Sequence, residues 1–152
     1  MFLIGHAALG AAIVKAAGIE NPIAAFAVGW ASHYLADFFP HGDEDLGAWT
    51  KRGHEVLRLL FVVGIDGALL LAAYAFFLSQ RPFSLPMFAA MVGSAVPDVM
   101  WGLEKLLHRK LFGLHEEFHG RNHNFFRLRV PYQLALIAQL IATLVLWRWL
   151  IG

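Results

Sequence analysis

Five apolar stretches, each ended by charged residues or by proline and glycine, constrain the fold of this chain more than any other feature. They run roughly over residues 2–18, 22–39, 56–79, 85–102 and 131–151. A helix needs about 17–25 apolar residues to cross ~30 Å of hydrocarbon, and the third and fifth stretches meet this requirement comfortably. The other three are shorter and carry ionisable groups, so we expect them to be tilted, re-entrant or buried against neighbouring helices.

The composition also indicates a membrane domain. Of the 152 residues, 59% are hydrophobic and 15% are charged, against roughly half and a quarter in soluble domains. We therefore predict one membrane domain over residues 1–152, an all-α bundle of about five helices. A His-rich polar segment, 103–130, separates its fourth and fifth helices. The net charge of +1 gives no basic field for nucleic acid, and the absence of cysteine leaves imidazole and carboxylate as metal ligands.

The basic residues are unevenly distributed along the chain. If all five stretches cross, the side that holds the N-terminus and segments 40–55 and 103–130 carries nine Lys and Arg, against three on the other side. The positive-inside rule then predicts that this side faces the cytoplasm, in a prokaryotic inner membrane. All eight histidines fall on the same side. Asp37, Asp66 and Asp98 lie in the helices nearby, and ionisable groups within membrane helices usually mark functional sites.

Two short motifs supply the first candidate ligands. His33 and Asp37 are four residues apart, which places them on one helix face. They are either co-ligands of a metal or a hydrogen-bonded structural pair. In the motif from Gly93 to Asp98, Pro97 bends the helix end and presents the acid toward a cavity, or the acid caps the turn that follows.

A third motif lies in the polar segment. His115, Glu116 and His119 match the H-E-x-x-H pattern, in which two histidines bind zinc and the glutamate is the general base. His123 extends the stripe by one more turn, although such a stripe is also typical of a solvated helix face. His6, near the N-terminus, is a further candidate because its predicted depth matches that of Asp37 and Asp98.

These motifs resemble those of the integral-membrane YdjM-like family of predicted metal-dependent hydrolases. That family has an early histidine, a Gly-x-x-x-Pro-Asp motif at the end of an apolar helix, and a late histidine pair. His6 matches the first, the segment 93–98 the second, and His119 with His123 loosely the third. The chain departs from the family at Met100, where the motif continues with a second aspartate, and it lacks the Thr and Ser of the late motif.

A second and shorter resemblance concerns nine residues. His33, Asp37 and His41 resemble the His-x-x-x-Asp pattern of zinc-dependent phospholipase C-like helical enzymes. Both resemblances imply a hydrolase that uses a metal bound by histidine and aspartate.

We therefore predict a metal-dependent hydrolase at the cytoplasmic boundary of the membrane. It would hold one or two divalent ions, zinc or manganese, and Asp66 or Glu116 would accept the proton of the attacking water. The expected partners are membrane lipids, with a phospholipid or polyprenyl phosphate as substrate. The predicted metal ligands are His6, His33, Asp37, Asp98, His115, His119 and His123.

Two non-enzymatic alternatives use the same residues. Asp66, Asp37 and His33 would also suit an ion or proton pathway, because deep acids and histidines form relays. His6 and His33 would suit the axial positions of a haem in a membrane anchor. Bound zinc or manganese, transport activity and a haem spectrum would separate the three functions.

Overall fold

The computed structural model describes residues 1–39, 54–123, 125 and 130–152, apart from the side chains of Glu55 and His123. Over these residues the chain is all-helical, with six helices and no strand. In chain order the helices are α1 (Leu3–Ala16), α2 (Pro22–Asp37), α3 (Glu55–Gln80), α4 (Leu85–Leu107), α5 (His115–His123) and α6 (Tyr132–Ile151).

The helix boundaries follow the apolar stretches, with one correction. A local signal begins α2, where the Asn21 side chain caps the helix by accepting hydrogen bonds from the backbone N–H groups of Ile23 and Ala24. Contrary to the prediction, α4 continues past residue 102 to Leu107, with Pro97 inside it. An interior proline costs a helix roughly 3 kcal/mol, and the packing of the fully buried Pro97 offsets part of this cost.

Helices α2 and α4 form the tightest contact of the bundle. A Cβ atom on Gly29 would overlap the backbone carbonyl of Ala90, and one on Gly93 would overlap the backbone carbonyl of Phe26. Helix α1 joins them at Gly10, where a Cβ would lie 3.1 Å from the Ala90 carbonyl oxygen. Small residues permit such close approach where apolar burial no longer drives association. The glycines thus hold the backbones of α1, α2 and α4 together near the candidate site.

The first turn of α1 is anchored by side chains from two other helices. Asp66 of α3 accepts hydrogen bonds from the backbone N–H of Leu3 at 2.6 Å and of Ile4 at 3.5 Å. Gln139 of α6 accepts one from the backbone N–H of Phe2 at 3.1 Å. No residue of α1 itself caps these N–H groups, which a helix start otherwise leaves without partners. This anchoring fixes the position of the segment that carries His6.

Two helices have the length and composition of membrane spans. Val56–Gln80 has a mean hydropathy of 2.2 and exposes most of its residues, with Asp66 and Phe77 buried, and Tyr132–Ile151 has a mean hydropathy of 2.0 and buries a larger share of its residues. Helices α1 and α2 have 14 and 16 residues and so rise only about 21 and 24 Å at ~1.5 Å per residue. The structure thus supports two of the five predicted crossings, and a five-helix membrane bundle is not confirmed.

Candidate metal centre

Four side chains from three helices meet near the C-terminal end of α2 and the middles of α4 and α5. They are His33 and Asp37 of α2, Asp98 of α4 and His119 of α5. Each offers one nitrogen or oxygen ligand atom, and these atoms all lie within 4.8 Å of one another. His33, Asp37 and His119 are buried, whereas the side chain of Asp98 is 26% exposed. This group could hold a metal ion, and the partly exposed Asp98 leaves one side of the group open to its surroundings.

The orientation of His33 is fixed by a carbonyl group of the proline-containing helix. Its Nδ1 lies 2.8 Å from the backbone oxygen of Ser94, and because a carbonyl only accepts, Nδ1 carries the proton. In the neutral ring, Nε2 then presents a lone pair, 3.0 Å from Asp37 Oδ2 and 3.8 Å from Asp98 Oδ1. Nε2 is buried and makes no aligned hydrogen bond. A lone pair that faces two carboxylates in this way is suited to a shared cation.

His6 borders the same cluster from α1. Its Nε2 lies 3.1 Å from Asp37 Oδ1 and 4.0 Å from Asp98 Oδ2, and its side chain is fully buried. Neither ring nitrogen has a hydrogen-bond partner in the described part of the chain. Burying such groups without partners costs free energy, which a bound ion would recover. His6 therefore lies at the edge of the four-residue group.

The same contact bears on the haem alternative. The rings of His6 and His33 are stacked, with centroids 4.1 Å apart and an interplanar angle of 24°. Rings in van der Waals contact leave no space for a porphyrin between them, whereas axial ligands must approach the iron from opposite faces. This geometry does not fit a haem held by these two histidines.

His119 is brought to the cluster by the short helix α5. Its Nε2 lies 3.5 Å from Asp98 Oδ1, and its ring stacks on Trp101 with centroids 6.1 Å apart. Helix α5 is tied to α2 by a hydrogen bond of 2.8 Å from the Asn122 amide to the backbone oxygen of Tyr34. These contacts make His119 the one histidine of α5 with a described side chain that reaches the four-residue group.

The two acids make this site a centre of negative charge. Asp37 is buried, and the amino group of Met1 lies 2.9 Å from its Oδ1. Burying a carboxylate is costly unless it is paired, and the nearby Asp98 adds a second negative charge. The cluster as a whole therefore favours cations.

The other members of the H-E-x-x-H motif face different partners. His115 Nδ1 lies 3.8 Å from Glu104 Oε2, and its ring centroid is 5.6 Å from that of His119. Glu116 accepts a hydrogen bond of 2.5 Å from the Lys105 ammonium, on a partly exposed surface. The structure does not gather His115, Glu116 and His119 around one point, as a zinc site of the H-E-x-x-H type requires.

The remaining predicted residues are placed as follows. Asp66 uses both carboxylate oxygens on the backbone of α1 and is not in the four-residue group. Asp98 lies well inside α4, so it does not cap a turn at the end of that helix. The side chain of His123 and all of His41 lie outside the described residues.

Glu104 is a buried acid that the sequence reasoning missed. Its Oε1 accepts hydrogen bonds of 2.8 Å from the backbone N–H groups of Phe112 and Leu111, just before α5. These bonds hold the pKa of Glu104 below its ordinary value, with the bond from Phe112 as the largest cause. Glu104 therefore stabilises the loop between α4 and α5, and this loop sets the position of α5. Its signal in the sequence is a single acid between Leu103 and Lys105, followed by the turn at Gly113.

An apolar cavity adjoins the open side of the cluster. It has a volume of about 370 Å³ and lies between α3, α4 and the first residues of the chain. Asp98 and Asp66 are the charged side chains that line it, and the rest of its wall is almost entirely apolar. The centre is thus accessible from an apolar space.

Comparisons with known proteins give no further guide: no family model, no curated protein and no solved structure matches this chain.

Proposed function

We propose that this protein is a membrane-embedded, metal-dependent hydrolase. The observation that carries the proposal is the four-residue group of His33, Asp37, Asp98 and His119, whose ligand atoms lie within 4.8 Å of one another. The orientation of His33 by the Ser94 carbonyl supports it, because metal-binding histidines generally donate their second N–H to such a partner.

The ion proposed for this group is zinc, with manganese as the alternative. Zinc accepts imidazole nitrogen and carboxylate oxygen, and the two histidines and two aspartates supply such donors. A catalytic zinc keeps one position for water, so the ion would bind three of these side chains, or all four with water as its fifth ligand. Manganese is favoured by a larger share of oxygen ligands. One ion fits the described group, and His6 borders it. A second ion would need His115 and Glu104, whose nearest ligand atoms are 3.8 Å apart.

The reaction proposed is hydrolysis of a lipid phosphate ester. A bound divalent ion lowers the pKa of water and polarises a phosphoryl oxygen. The protein would orient the ion through His33 and leave the side of Asp98 open to substrate from the apolar cavity. Asp66 is already hydrogen-bonded to backbone N–H groups, and Glu116 is paired with Lys105. Their contacts give no support to the role of proton acceptor that the sequence suggests for them.

The proposed location is the cytoplasmic side of a prokaryotic inner membrane, with lipids as the surrounding partners. Helices α3 and α6 supply the two candidate spans. The side chains of Leu71 in α3 and Leu144 in α6 are 71% and 68% exposed, as expected for residues that contact hydrocarbon. The orientation follows from the positive-inside rule if all five apolar stretches cross the membrane.

The test is metal content together with hydrolysis by the detergent-purified protein. After chelator washing and reloading with zinc, the wild type is expected to hold zinc stoichiometrically and to release phosphate from a lipid phosphate. His33→Asn and His119→Asn are expected to lose both properties. The matched control is His108→Asn, because His108 is exposed and has a left-handed backbone that asparagine tolerates.

Two results would overturn the proposal. One is a wild type that binds no zinc or manganese, and the other is equal metal binding by wild type and His33→Asn. Proton flux through proteoliposomes that contain metal-free protein would instead favour the relay, which the close contacts among His6, His33 and Asp37 also support.

A further inference from the structure

The apolar cavity beside Asp98 is large enough for part of a ligand and has two chemically different ends. Its volume of about 370 Å³ falls in the range of ~300–1,000 Å³ that small-molecule sites occupy. A water molecule occupies ~30 Å³ in the liquid, so a cavity of this volume has room for roughly a dozen groups of the size of water or methylene. One end meets Asp98 and the metal centre, and the rest is bounded by apolar side chains.

The chemistry of the cavity wall identifies what it takes. Leu59, Leu60 and Val63 of α3 face Val99, Leu103 and Leu106 of α4 across it. These side chains offer no hydrogen bonds, so a polar or charged ligand would be desolvated there without compensation. An aliphatic chain, by contrast, needs no hydrogen-bond partner and packs against these side chains as it does against lipid.

The two acids of the wall define the orientation of such a ligand. Asp66 is engaged by the backbone of α1, so it does not attract a head group. Asp98 belongs to the four-residue metal group, and there the bound ion would attract an anionic phosphate. A phosphate at the centre and a chain in the cavity together describe one amphiphile.

We infer that this cavity binds the aliphatic chain of the substrate, so that the substrate is a lipid phosphate drawn from the bilayer with one chain lying between α3 and α4. The inference rests on the proposed hydrolase function, since the metal centre is what places the head group. The candidate span α3 forms one wall of the cavity, so the chain can enter from the hydrocarbon without passing through water.

Gly102 provides a way to fill the cavity without disturbing the fold. It lines the cavity within α4, and a Cβ atom at this position would meet nothing within 4 Å. The substitution Gly102→Leu therefore places a side chain in the open space. Gly64 of α3 is the matched control, because a Cβ there also meets nothing within 4 Å and Gly64 is not part of the cavity wall.

The experiment uses zinc-loaded protein in nanodiscs and a dodecyl phosphonate that carries a photoreactive diazirine on its chain. Its carbon–phosphorus bond resists hydrolysis, so labelling does not depend on turnover. Mass spectrometry is expected to find the label on the cavity-lining side chains Leu59, Leu60, Val62, Val63, Val99, Trp101, Leu103 and Leu106. Gly102→Leu should lower this labelling roughly tenfold or more, the order that lost methylene contacts produce in an apolar pocket, and Gly64→Leu should leave it unchanged.

Two further measurements separate this inference from the hydrolase proposal. With zinc bound, Gly102→Leu is expected to lower the ratio of dodecyl phosphate to butyl phosphate hydrolysis roughly tenfold or more, and Gly64→Leu is expected to keep the wild-type ratio. Label spread over lipid-facing positions such as Leu71 and Leu144, with zinc binding and hydrolysis intact, would overturn the chain site alone. Label in the cavity of a protein without zinc or hydrolysis would support the chain site and overturn the hydrolase.

Discussion

Helices α2 and α4 approach each other through glycines and bury the histidines and acids of the candidate centre, whereas α3 exposes an apolar face along its length. The first pair is held by contacts between backbones, as at Gly29 and Gly93. Helix α3 contributes one capping aspartate and one wall of a cavity. The helices with the composition of membrane spans are thus not the helices that form most of the centre.

This difference has a physical cause. Polar ligands lower the hydropathy of a helix, so a helix that carries a buried His and Asp is a weaker candidate span than one that only faces lipid. Buried polar groups need partners, and these must come from neighbouring helices at close range. In α2 and α4 the same glycines that permit close packing therefore also bring the ligands together. In α3 this requirement applies to Asp66 alone, and most of the helix surface is apolar.

The largest expected effect lies at the glycine contact. Gly29→Ala places a Cβ atom against the backbone carbonyl of Ala90, which cannot move aside as a side chain can. We expect a loss of about 3 kcal/mol in the free energy of unfolding, at the upper end of overpacking effects, together with loss of metal binding. The measurement is unfolding by SDS titration, followed by zinc content.

The control is the same substitution in the other region. Gly64→Ala in α3 meets nothing within 4 Å and should be neutral, or stabilising by up to about 1 kcal/mol because alanine is the better helix former. Equal effects at the two glycines would remove the distinction between packed and exposed helices.

A smaller effect is expected at Asp66, where the two regions meet. Asp66→Ala removes the cap on the first turn of α1 and should cost about 0.5–2 kcal/mol of the free energy of unfolding. Added zinc should still stabilise this variant as it stabilises the wild type, by ~2.7 kcal/mol at a hundredfold excess over Kd. Asp37→Ala should lose that stabilisation, because it removes a ligand. If Asp66→Ala also abolishes the zinc effect, Asp66 belongs to the metal centre after all.

The sequence predicted part of this arrangement for reasons that remain valid. His33 and Asp37 share a face because of their spacing, and the structure places both in the centre. Asp98 was predicted from the proline before it, although the helix continues and the acid lies in its interior. In these cases a local pattern was enough, because the ligand position depends on one helix alone.

The rest of the centre could not be predicted, because it depends on how separate helices meet. Nothing in the local sequence distinguishes His119 from His115. His119 contacts Asp98 and His115 contacts Glu104 because of the path of the loop between α4 and α5, which Glu104 stabilises. Depth in an apolar stretch suggested a catalytic Asp66, but depth alone does not reveal that the start of α1 lies against it. The H-E-x-x-H pattern around Glu116 likewise says nothing about Lys105, which binds that glutamate.

The smallest expected effect is on the exposed face of α3. Leu71 is 71% exposed, so Leu71→Ala should change the free energy of unfolding by no more than about 0.5 kcal/mol. Leu150, at the end of α6, is 1% exposed, and the same substitution there should cost about 2–5 kcal/mol because it leaves a cavity. Both values come from SDS titration of the purified protein. Because both variants replace leucine by alanine, the difference between their unfolding free energies reports the effect of burial. A cost above about 1 kcal/mol at Leu71 would mean that this face packs against protein rather than lipid, and α3 would then belong with the packed helices.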